Sequence, residues 1–137
     1  MSRGQSGQIL IILVATLLLG GGGFAAGVVL TGKPVSALKK ETLAMVEERN
    51  RRENVEAVFK RWDKDVERID ASREKNRKAM LALMRRHDAR SAEFDKIYAE
   101  SDAIEAQALD AGLDMRFALR EQLSAEEWRR LFAPPQR

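Results

Sequence analysis

From Val35 to Ala133 the chain contains no proline and one glycine, Gly112. Sheets need frequent turns, and turns draw on Gly and Pro for their special backbone angles. A stretch this long without such punctuation is suited to helices, and good helix formers fill it. Pro34 marks a break before it, with Ser36 placed to cap the first helix, and Pro134-Pro135 stops it. The expected fold class is therefore all-α.

Apolar residues in this stretch recur at intervals of three and four. Val55, Val58/Phe59, Trp62, Val66 and Ile69 are followed, after a polar gap, by Met80, Leu83 and Met84. They define one narrow helical stripe. The gap from Asp70 to Lys78 holds only Ala71 among apolar residues, and reads as an exposed stretch or a weak spot in the helix. Glu47/Arg51, Glu48/Arg52, Glu56/Lys60 and Glu74/Lys78 have the spacing and order of supporting ion pairs. A turn is expected at 87–91, where Asp88 or Ser91 can cap a second helix carrying Phe94, Ile97/Tyr98, Ile104, Leu109, Leu113, Phe117 and Leu119. Alanines 103, 106, 108 and 111 would allow close approach, and Gly112 marks a possible kink. Two such arms fold back as an antiparallel hairpin. Ser124 and Glu127 form a capping box, S-x-x-E, that opens a short helix over about 125–132.

The N-terminal part has a different character. No charged residue occurs from Gly4 to Gly32, and Ile9 to Leu30 is an apolar run of 22 residues. As a helix it would be about 33 Å long, against a hydrocarbon core of about 30 Å. It exceeds the apolar region of a signal peptide, about 7–15 residues, and only Arg3 precedes it, so it reads as an uncleaved transmembrane anchor. Gly23 and Gly27, four apart, offer a small face for membrane-helix packing. The resulting plan is a tail over 1–8, an anchor over 9–30, a linker over 31–36, a helical hairpin domain over 37–132 and a C-terminal tail over 133–137.

Composition bounds the chemistry. With no Cys and one His in 137 residues, the chain has no thiol nucleophile, no disulfide framework and no multi-histidine metal set. There is no phosphate loop and no triad or HExxH spacing, so an enzyme is not expected and no cofactor is implied. From Lys33 onward, 23 Lys/Arg interleave with 21 Asp/Glu. Without a basic block, nucleic acid is not an expected partner. Met80, Met84 and His87 lie at i, i+4 and i+7 on a continuous helix, a donor set that would suit a soft ion such as copper(I); the alternative is two core methionines beside a polar end. Trp62 and Trp128 lie on apolar stripes, as core residues or as partner-binding hot spots. A thin stripe on long arms leaves apolar area poorly covered within one subunit, so a homodimer is expected.

Residues Met115 to Trp128, and Leu123-Ser124-Ala125-Glu126-Glu127 above all, resemble the closing segment of the bacterial periplasmic heavy-metal-resistance and spheroplast-protein-Y-like chaperone group. In that group a long helix ends in a Leu-Thr/Ser-x-x-Gln/Glu turn that opens a short helix. The resemblance implies a single-pass inner-membrane protein with a periplasmic, often dimeric hairpin that holds a signalling partner or a misfolded client in envelope stress or metal-resistance sensing. The group's first copy of the turn motif and its His-rich ligand sets are absent here. Six basic residues between Lys33 and Arg52 instead suit a cytoplasmic domain, and with it a membrane-tethered coiled-coil scaffold without a sensing role.

Overall fold

The computed structural model describes residues 32–134. They form four helices and no strand: α1 (Val35–Met45), α2 (Arg49–Met84), α3 (Ser91–Gln122) and α4 (Ala125–Leu131). Helices α2 and α3, 36 and 32 residues long, run antiparallel: Arg51 meets Gln122 at one end, and Asn76 meets Ser101 towards the other.

This corrects the expected architecture of a membrane helix, a hairpin and a short helix. Among the described residues no helix is long and apolar enough to cross a membrane. The span over 9–30 and the Gly23/Gly27 packing face lie outside the described residues. The chain after Pro34 also does not pass straight into the hairpin. It forms α1 first, breaks at Val46–Glu48, and restarts at Arg49. Pro34, not Ser36, is the N-cap of α1, because its fixed φ of −58° leads directly into the first turn. Val46 leaves the helix with extended backbone and is fully buried.

The seam of α2 is Val55, Phe59, Trp62, Ile69, Arg73, Asn76, Met80 and Leu83, all buried. With half-buried Val66 included, every step is three or four residues. The stretch 70–78 is thus the exposed helical stretch of the two expected readings, except on its inner side: α2 runs through it, and Arg73 and Asn76 are buried at seam positions. The polar layer they form separates two apolar clusters. The larger joins Phe59, Trp62 and Ile69 to Ala108, Met115 and Leu119, and includes Leu38, Val46 and Leu131. The smaller is Met80, Leu83 and Ile97, near the turn.

The seam of α3 is Ile97, Ser101, Ile104, Ala108, Ala111, Gly112, Met115 and Leu119. Small residues here share the cluster with the largest ones of α2, Phe59 and Trp62, which lets the two axes approach. Gly112 is buried within the uninterrupted helix. Neither Asp88 nor Ser91 caps α3; the N-cap is Arg90, whose amide donates to Glu93 Oε2 at 3.0 Å, while Asp88 pairs with Arg86. Glu47 and Glu48 precede α2, so their expected pairs with Arg51 and Arg52 do not form along a helix face, and both arginines point to other partners.

Candidate protein-docking surface

At the open end of the hairpin, Arg51 and Arg52 close two helices at once. The last carbonyls of a helix lack intrahelical donors. Arg52 Nη1 donates to the carbonyls of Leu43 and, at 3.3 Å, Val46, which ends α1. Arg51 donates through Nε and Nη2 to the Gln122 carbonyl at 3.0 and 2.8 Å, which ends α3. Arg51 also pairs with the Glu127 carboxylate. That carboxylate accepts from the Ser124 amide at 2.7 Å, while the Glu127 amide donates to Ser124 Oγ at 3.1 Å. Arg51 and the Ser124 amide together hold the Glu127 carboxyl below the usual glutamate range. The open end is thus framed by side-chain hydrogen bonds that tie the end of α3 to α2 and α4.

That half of α3 has a second apolar stripe, on the side away from α2. Leu109 is 48% exposed, Leu113 39% and Phe117 45%. Hydrophobic spacing alone places all three in the core. Their four-residue spacing is helical, but the seam one position away, through Ala108, Ala111 and Met115, packs against α2 instead. The guanidinium carbons of Arg116 and Arg120 lie 5.6 and 5.3 Å from the Phe117 ring centre, so Phe117 stands in solvent between two cations. Further toward the N-terminus the same side carries exposed Ala99, Asp102 and Ala106.

The other expected site residues fall in different places. Met80 is buried with Leu83 and Ile97. Met84 ends α2 and is 61% exposed, and His87 lies in the turn beyond it, exposed. The three do not share a face, because the helix that would align them stops before His87. Among the described residues no group of three or more His, Cys, Asp or Glu side chains could hold a metal. Trp62, 5% exposed, belongs to the main core. Trp128 is half-buried against Phe132, with ring centres 4.6 Å apart and the Arg116 guanidinium 5.2 Å from its ring. Both tryptophans pack within the subunit.

The polar layer is the feature that hydrophobic periodicity passes over. Arg73 forms a two-pronged pair with Glu105, Nε to Oε1 at 3.0 Å and Nη2 to Oε2 at 3.2 Å, and reaches Asp70 at 3.2 Å. Asn76 Nδ2 donates to Ser101 Oγ at 2.6 Å, whereas Asn76 Oδ1 is buried without a partner among the described residues. Beyond this layer, a shallow groove of about 220 Å³ runs between Ala57, Val58 and Trp62 of α2 and Ala111, Met115 and Ala118 of α3. No Ser, Thr, Tyr, His or Lys lines it.

Comparison of the chain with protein-family models, with characterised proteins and with solved structures finds no match.

Proposed function

We propose that this chain is a non-enzymatic helical-hairpin protein that works by docking a protein, partner or client, on the outer face of α3. The observation that carries the reading is the exposed row Leu109, Leu113, Phe117 on a helix whose opposite side is fully occupied. Isolated exposed apolar residues are ordinary, but a contiguous row on a rigid helix costs solubility and is characteristic of recognition surfaces. The resemblance of the Leu123–Glu127 segment supports a periplasmic setting, with envelope stress or metal-resistance sensing as the process served.

Two measurements test this. The full chain should suppress light scattering by an aggregating model client, and Leu113→Asp should remove most of that protection while leaving far-UV helicity unchanged. A variant that protects as well as the parent refutes client docking on this face. An alkaline phosphatase fused to the C-terminus should be active; an inactive, stably made fusion refutes the periplasmic setting.

A further inference from the structure

Resting on that reading of the outer face of α3, we propose that its occupant is a second copy of this chain, with two α3 helices packed antiparallel about a two-fold axis near position 111. On an ideal helix Ala99, Asp102, Ala106, Leu109, Leu113, Phe117 and Arg120 fall within about 80° of arc, so one partner helix can cover them all. All of them are exposed.

The stripe is polarised in two respects. Its C-terminal half is bulky and cationic: Leu113, Phe117 and Arg120, with Arg116 beside them. Its N-terminal half is small and anionic: Ala99, Asp102 and Ala106. Asp102 has no ion-pair partner among the described residues. A parallel pair would set Phe117 against its own copy and like charges against each other. The antiparallel pair exchanges the halves. Leu109 then lies beside the Leu113 of the second copy, Phe117 beside the space left by Ala106, and Arg120 beside Asp102. A two-fold axis makes each of these contacts twice. One stripe therefore complements itself in size and charge, and needs no foreign surface. The overlap from Ala99 to Arg120 extends about 33 Å, enough for a long helix-to-helix contact.

The absence of cysteine makes the geometry testable in the full chain, kept in density-matched non-ionic detergent so that the apolar run over 9–30 does not itself associate. Sedimentation equilibrium should give a dimer, and Leu113→Asp and Phe117→Asp should each give a monomer of unchanged helicity. Asp102→Arg and Arg120→Asp should each raise the dissociation constant about tenfold, and the double reversal should restore it to within about threefold. Asp110→Cys, next to the axis, should oxidise to a cross-linked dimer, and Ala99→Cys should not, whereas a parallel pair would cross-link Ala99→Cys. A parent that stays monomeric, a dimer indifferent to Leu113→Asp and Phe117→Asp, or failure of the double reversal overturns the proposal. A monomeric parent whose client protection still falls with Leu113→Asp keeps the docking face and removes the second copy. A dimer broken by Leu113→Asp with client protection unchanged keeps the second copy and removes the client.

Discussion

The two ends of the hairpin are held by different means. At the open end four helical elements converge, Leu38, Val46, Phe59, Leu119 and Leu131 are almost wholly buried, and Arg51 and Arg52 close the carbonyl ends of α3 and α1. At the turn end only α2 and α3 are present. Their buried apolar residues are Met80, Leu83 and Ile97, and the ion pairs of Arg86 with Asp88 and Glu93 are on the surface. Exposed pairs contribute little, about 0–1 kcal/mol, so the turn end relies on a small core. The polar layer of Arg73, Asn76, Ser101 and Glu105 divides the two regimes. Cooperative stability should reside at the open end, and local opening should begin at the turn.

The largest expected effect breaks that contrast at its strong side. Phe59 is 1% exposed in the main cluster, and Phe59→Ala should destabilise the fold by about 3–5 kcal/mol. Met80→Ala, in the small cluster, should cost about 2 kcal/mol. Hydrogen exchange separates the two mechanisms. Met80→Ala should accelerate exchange on both sides of the turn and leave the amides around Phe59 and Leu119 slow, whereas Phe59→Ala should accelerate exchange throughout α2 and α3. Uniform acceleration in both variants would mean that the polar layer does not divide the hairpin.

The contrast also shows what is legible in the residues and what is not. The turn near His87 and the capping box at Ser124 are local signals, and the long stripes of α2 and α3 follow from intervals of three and four. Arg73 and Asn76 are hidden because a polar residue at a seam position looks like a gap when only hydrophobicity is followed; the spacing through Ile69, Arg73, Asn76 and Met80 is unbroken. Leu109, Leu113 and Phe117 look like core residues because α3 carries two adjacent stripes of helical period, and theirs is the more hydrophobic. The bulk of Phe59 and Trp62 on α2 decides otherwise, since only the small-residue stripe admits it. The break at Val46–Glu48 has no glycine or proline to announce it. It depends on a contact nine residues apart, Arg52 on the carbonyl of Leu43. The exposed Leu109 row and the buried polar layer thus have one origin: both are settled by what the opposing helix presents.

The smallest expected effect sharpens the comparison through pH. The Glu127 carboxyl is lowered by the Arg51 hydrogen bond first and the Ser124 amide second. At the turn end Asp88 is lowered mainly by Arg86, and Glu93 by the Arg90 amide and then Arg86. A folded pKa below the unfolded one means the unfolded chain binds more protons between the two values. The stabilisation is complete above the ordinary glutamate value of about 4.3 and is lost as pH falls through the folded value. Glu127→Gln retains an oxygen for Arg51 and the Ser124 amide but has nothing to protonate. The parent should therefore be the more stable of the two at pH 7, and its advantage should shrink only below about pH 4. Denaturant midpoints of both proteins at pH 7 and pH 3 measure this. An advantage that is the same at both values would mean that the Glu127 charge does not contribute to the open end, and that Arg51 acts there through the Gln122 carbonyl alone.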